Sequence, residues 1–426
     1  MQQQTCSLAA ALELAYDESA FCIFREQRSG LWYIRTNAEI HNNGLFVNLN
    51  GFESQVLMDF RQVFDDCTGK YRILYEELGG KGVEDIEVAL QEIFLKDLYK
   101  ALSAFAVPEF FAGFNELCKP ELIRKQEKPA AEPPQLTKLL DTIKPAALAY
   151  FAKLSEFIKG NYGAAQISGL TAAGAPLSGE KTWESFAALL QMVLDIKSAA
   201  EKPAASESPQ QTAFVKQMYE IILSKPHMPE YIAAFAVLQC TGSVIGKKAT
   251  PAITRDLICL WGLNRKLFRI LKEENFSDSY AYTASRLLPE AIACSKLPMQ
   301  AKATAAYIEL QQLFSYPEAF VITGLNTFNN VRWFGKEQMT DALNITTLIQ
   351  ALCCSGAEEQ AAVRTLYKDL MNAKEKAAFN ADTFLKAFVP VKKTKKAAAA
   401  KTANPRAKEA AKTAEKPEVR SKKQKK

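Results

Sequence analysis

Arg255-Asp-Leu-Ile-Cys-Leu-Trp-Gly-Leu-Asn-Arg-Lys-Leu-Phe-Arg-Ile-Leu-Lys272 sets the class of this protein. Leu257, Leu260, Trp261, Leu267, Ile270 and Leu271 recur at helical spacing and form one buried stripe. Arg255, Arg265, Lys266, Arg269 and Lys272 fall largely on the solvated side. The same reading extends over residues 214–388, which are helical nearly throughout, and no fixed period recurs that would make them a solenoid.

Upstream, residues 183–196 present Trp183, Phe186, Leu190, Val193 and Leu194 on an apolar side, and residues 136–158 form a helix bent at Pro145. Between them, residues 160–179 carry five glycines, no charge and few large side chains, which predicts a loop. Residues 199–211, rich in Pro, Ala and Ser, and 118–135, rich in Pro, Lys and Glu, read as linkers. A helix from Tyr71 carries Ile73, Leu74 and Leu78 into a stop at Gly79-Gly80. A second, from about Glu84, lines up Ile86, Ala89, Leu90, Ile93 and Phe94. Ahead of these, a short helix at 8–15 precedes four β-rich stretches at 20–25, 31–36, 45–49 and 55–60, split by Ser29-Gly30 and Asn42-Asn43-Gly44. Alternation puts Trp32 and Ile34 on one strand face, Leu31 and Tyr33 on the other, and Leu45, Val47 and Leu49 together.

The predicted architecture is therefore mainly α: a small N-terminal antiparallel β-sheet domain (1–62), a helical segment (63–117), a linker (118–135), a helical region (136–389) with flexible loops at 160–179 and 199–211, and a disordered Lys/Ala-rich tail (390–426). Four short strands offer too little material to cover both sheet faces. The helices after Tyr71 shield one, and the other is expected to remain an apolar patch suited to association.

The 426 residues carry a formal charge of +6, which splits by position. Residues 391–426 hold 12 Lys and 2 Arg against 3 Glu, a net of +11, so the rest of the chain is acidic. Lys392, Lys393, Lys395, Lys396, Lys422, Lys423, Lys425 and Lys426 can neutralise phosphates by counterion release. The tail has no aromatic residue on which a base could stack, so the partner it suits is a polyanion met without sequence preference. Nine scattered cysteines without a C-x-x-C pair fit reduced thiols, and no signal peptide or membrane span is read, which makes a cytoplasmic location the expectation.

The chain has two histidines, His41 and His227, so any chemistry needing a histidine pair must use both. Gly242-Ser-Val-Ile-Gly-Lys-Lys248 has three residues between its glycines where a phosphate loop needs four, and Lys248 where that loop needs Ser or Thr. Cys353-Cys354 on a helix point about 100° apart. Asp65-Asp66, Glu76-Glu77 and Glu273-Glu274 are sequence neighbours rather than carboxylates facing each other across a cleft. No catalytic residue, metal site or cofactor is read from these.

Three stretches resemble the region downstream of the catalytic barrel in a subset of bacterial alpha-amylase family glycoside hydrolases. They are Leu45-Phe-Val-Asn-Leu-Asn-Gly-Phe-Glu-Ser-Gln-Val-Leu-Met-Asp-Phe60 with the following Arg61-Gln-Val-Phe-Asp-Asp66; residues 71–102 with Glu77-Leu-Gly-Gly-Lys-Gly-Val83; and Asn330-Val-Arg-Trp-Phe-Gly-Lys-Glu337 with the helix after it. In those enzymes a β-sandwich ends in a strand of similar sequence, packs against the barrel and runs into a long helical extension. The resemblance spans about residues 1–389 and departs from the family at Gly335, where an asparagine is common. No βα alternation of the roughly 250 residues that a barrel needs is present, nor a Gly-x-Arg-x-Asp motif, so no catalytic residue carries over. The resemblance implies a non-catalytic remnant or accessory portion of such a glycosidase in carbohydrate metabolism. Its expected partner is a separately encoded amylase-type barrel, or a second copy bound through the N-terminal sheet. The alternative is a helical scaffold that binds nucleic acid or another polyanion through its tail.

Overall fold

The computed structural model describes residues 5–389 apart from 48, 67–68, 121–134, 161–166, 204–207, 226, 273–277, 298–301, 317–318 and 355. Most of the proposed 118–135 linker, Cys67 and the whole Lys/Ala-rich tail lie outside the described residues.

The sheet has three strands, not four. β1 (Ala20–Glu26) is central, with β2 (Trp32–Thr36) antiparallel on one side and β3 (Leu57–Phe64) antiparallel on the other. The register pairs Ile23 with Ile34 and with Arg61. Between Ile23 and Arg25 it slips, so that Asp59 adopts a left-handed φ of 57° in a bulge and its carboxylate meets Arg25 at 2.9 Å. Residues 45–49, expected as the third strand, form none in their described part. Thr36 instead caps a helix, α2 (Asn37–Asn43), its hydroxyl accepting from the Glu39 amide at 3.1 Å. A short α1 (Leu8–Ala11) precedes the sheet.

Both faces of this sheet are covered from within the chain, which corrects the expectation of one bare face. Phe21, Ile23 and Ile34 pack with Leu74 of α3 (Lys70–Leu78) and with Ile86 and Leu90 of α4 (Ile86–Phe94). On the other side Cys22 and Phe24 pack with Ala9, Leu14 and Ile40, and Phe24 stacks on Tyr33 and Phe60. Trp32 joins the first cluster and Tyr33 the second, as strand alternation predicts. Gly79 ends α3 with a φ of 50°, a conformation that favours a residue without Cβ.

The remaining helices share one large core. α5 (Lys96–Phe105), α6 (Pro108–Cys118), α7 (Leu136–Lys159, with Pro145 inside it) and α8 (Gly179–Glu201) form its first part. Lys197 of α8 is buried and donates to the carbonyls of Leu117 and Lys119, so a cation meets the carbonyl end of α6. α9 (Pro209–Leu223) leads to α10 (Met228–Ile245), which is buried on every side and lies against α6, α7, α8 and α9. By length and composition α10 is the one described helix apolar enough to cross a membrane, yet it is the central helix of this core, as expected of a helix apolar all round.

Residues 255–272 belong to two helices rather than one: α11 (Pro251–Leu260) and α12 (Leu263–Lys272), broken at Gly262, whose φ is 54°. α13 (Asp278–Ala293), α14 (Lys302–Ser315) and α15 (Ala319–Thr323) follow. A two-residue hairpin of β4 (Asn326–Phe328) and β5 (Val331–Trp333) turns through Asn329 and Asn330, both at positive φ. α16 (Lys336–Leu352), α17 (Ala357–Lys376) and α18 (Ala381–Lys386) complete the chain as described.

The cationic side of α12 does not simply face water. Arg269 pairs with Glu92 of α4 at 2.5 Å, Arg265 reaches the Gln91 side chain at 3.3 Å, and Lys266 stands 5.8 Å from the Tyr99 ring centre. The Gln91 amide in turn donates to the carbonyl of Leu260. These groups hold the sheet domain's α4 against the helical body.

Candidate functional site

The eight tail lysines of the expected polyanion site, Lys392 to Lys396 and Lys422 to Lys426, all lie outside the described residues.

The glycine pair at 242 and 246 closes α10 rather than cradling phosphate. Gly246 donates to Gly242, Lys247 to Ala175 and Lys248 to Ala173, so the amides that a phosphate loop would aim at its ligand are bonded to backbone. A Cβ on Gly246 would stand 2.3 Å from the Ala173 carbonyl oxygen, which explains the glycine by packing alone.

The histidines are far from forming a pair of ligands. His41 Nε2 lies 2.9 Å from the Leu14 carbonyl, and His227 Nδ1 lies 3.5 Å from the buried Glu230. Asp65 accepts from the Tyr71 and Arg72 amides and so caps α3. Glu77 pairs with Lys96, while Glu273 and Glu274 fall outside the described residues. Cys353 and Cys354 sit at the end of α16, where burial raises their thiol pKa values to about 12 and about 11. The eight described cysteines are free thiols.

Buried carboxyls exist but lack access. Glu309 accepts from Thr346 and Gln350, and Glu290 from Gln312 and Arg255. Burial pushes both carboxyls above the ordinary range, and both side chains are closed to solvent. Arg255, expected on the solvated side, reaches inward to Glu290.

Two surfaces among the described residues are open to a partner. The first is the segment before β3. Phe46 is 93% exposed, Phe52 is fully exposed, and Val47, Leu49 and Val56 are exposed as well. The segment arches over a shallow cleft walled by Phe24, Tyr33, Arg35, Glu39, Leu45 and Gln55. It runs directly into β3, whose outer edge pairs with no described strand, whereas the outer edge of β2 is closed by reciprocal bonds between Trp32 and Val83. The second surface is a cleft between α9 and α17. The sequence reading missed it, because its walls come from helices some 150 residues apart and no local pattern marks it.

Comparison of the chain with protein-family models, with curated proteins and with solved structures returns no match.

Proposed function

We propose that the chain is a non-catalytic accessory portion of an alpha-amylase family glycosidase, and that it docks an amylase-type barrel through residues 45–56 and the adjoining edge of β3. One observation carries this reading. The first of the stretches that resemble the family holds five large apolar side chains outside any core: Phe46, Val47, Leu49, Phe52 and Val56. A cluster of that kind on a soluble surface marks a place where another surface sits. A free strand edge beside it offers unpaired backbone groups to the same partner.

The test mixes the purified chain with an alpha-amylase family barrel encoded in the same genome and follows mass by light scattering. A complex is expected with the wild type and not with Phe46→Ser/Phe52→Ser. Those side chains are exposed, so the substitutions leave the helical signal unchanged. A wild-type chain that stays a monomer alone and forms no complex with any such barrel overturns the reading.

A second reading rests on charge. The net +11 of residues 391–426 suits a scaffold that meets nucleic acid or another polyanion through that segment.

A further inference from the structure

We propose that the cleft between α9 and α17 binds a small organic oxyanion, a phosphate or carboxylate head carried on an apolar body. The two helices reach this arrangement by packing from either side onto α16, so that the helix between them supports both walls. α9 contributes Gln210, Ala213, Phe214 and Gln217, at the three- and four-residue steps of one helical face. α17 contributes Arg364, Lys368, Met371 and Asn372, again one face, with Tyr367 at its base.

The lining divides by chemistry. Arg364 and Lys368 stand one turn apart, and neither forms an ion pair or hydrogen bond with another described residue. The Arg364 side chain is half-buried, its guanidinium pairs with no described carboxylate, and it is free to take an anion that arrives from solution. Ala213, Phe214, Tyr367 and Met371 supply apolar surface beside these cations. Tyr367 is held in place because its hydroxyl lies 2.7 Å from Asn344 Oδ1 on α16 and also bonds the Gln217 amide. The ring is thus a fixed wall rather than a mobile flap. Gln210 and Asn372 add donors and acceptors at the mouth, which favours a ligand with polar substituents on its body.

Neither an inorganic ion nor a neutral apolar molecule uses both halves of the cleft. The probes are therefore 1-naphthyl phosphate, neutral 1-naphthol and inorganic phosphate, titrated into the full chain by fluorescence or calorimetry. Single-site binding of 1-naphthyl phosphate is expected, about tenfold or more tighter than either of the others. Arg364→Gln/Lys368→Gln should weaken it about tenfold or more, because charge-assisted bonds to the head are lost. Met371→Ser should weaken it less, through the body. A thermal melt of each variant separates lost binding from lost fold. Phe46→Ser/Phe52→Ser should leave this binding unchanged, which keeps its outcome apart from that of barrel docking. Equal affinity for 1-naphthol, indifference to the Arg364/Lys368 change, or no binding at millimolar probe overturns the proposal.

Discussion

The Thr346 hydroxyl lies 2.6 Å from Oε1 of Glu309, and both side chains are wholly buried where α14 meets α16. Gln350 donates to the other oxygen, Oε2, at 2.9 Å, and Thr346 also stands 3.0 Å from the Ala342 carbonyl. Burial raises the Glu309 carboxyl above its ordinary value of 4.5, against the opposing pull of the Thr346 and Gln350 bonds. When Glu309 is protonated the Thr346 contact reverses, the Glu309 O–H donating to the Thr346 hydroxyl, which keeps its hydrogen bond to the Ala342 carbonyl. The arrangement therefore serves a neutral acid with no group left unpaired.

A pH dependence follows from that proton. Below pH 4.5 Glu309 is protonated in both the folded and the unfolded chain, and its contribution to stability is fully present. As pH rises the unfolded chain loses the proton first, so stability falls until the folded carboxyl ionises too. Glu309→Gln keeps both bonds and removes the titration. Urea unfolding between pH 5 and pH 8 should show the wild type losing stability relative to the variant. Parallel curves for the two proteins would remove the argument. Glu290 and Glu230 are raised in the same direction, and taking the difference between variant and wild type isolates Glu309 from them.

Gly246 gives a second prediction. The backbone atoms Ala173 O, Ala173 C and Gly174 O would lie 2.3, 2.7 and 2.7 Å from a Cβ there, so Gly246→Ala must displace main chain. A loss of about 1–3 kcal/mol is expected, the usual cost of overpacking. At Gly356, with φ near −177°, an added Cβ meets nothing within 4 Å. Gly356→Ala should therefore change stability by about 0.5 kcal/mol or less. Thermal or urea unfolding of both variants checks the contrast, and equal losses would refute the packing account.

The helical class was legible because Leu257, Leu267 and Leu271 face the core as their spacing predicts. The break at Gly262 was not, since a single glycine inside an apolar pattern is compatible with a continuous helix until its positive φ is seen. Residues 45–49 misled through their alternation, which mimics a strand yet here belongs to an exposed segment. The signal that could have corrected it is Thr36-Asn-Ala-Glu39, a capping sequence that starts α2 where a turn was expected. The apolar residues of 46–56 were visible in the sequence, but their exposure was not, because α1 and α2 fill the sheet face that they were expected to share. The α9–α17 cleft depends on two helices meeting α16, and nothing local in either helix encodes that.

Arg269 and Glu92 supply a third prediction, about how α4 is held. Their 2.5 Å contact is about half-exposed, with side-chain exposures of 55% and 41%, so the pair by itself contributes about 0.2–1 kcal/mol. Adding salt should screen most of this. A double-mutant cycle of Arg269→Ala and Glu92→Ala at low and high ionic strength should give a small coupling that fades with salt. A coupling above about 2 kcal/mol that is insensitive to salt would mean that the contact is desolvated in solution.

The basic segment supports the last prediction. With +11 over residues 391–426 and no aromatic side chain, any affinity for nucleic acid comes from counterion release. Binding of single-stranded oligonucleotides should then be weak, indifferent to sequence and steeply dependent on salt. It should fall by orders of magnitude between about 50 and 200 mM if six or more phosphates are neutralised. Deleting 391–426 should abolish it and leave the helical circular dichroism signal intact, since every described helix ends before that segment. Of the cations on α12, Arg269 is already paired with Glu92. Retention of binding after the deletion, or binding that survives high salt, would move the contact to the folded body and exclude the polyanion reading of the tail.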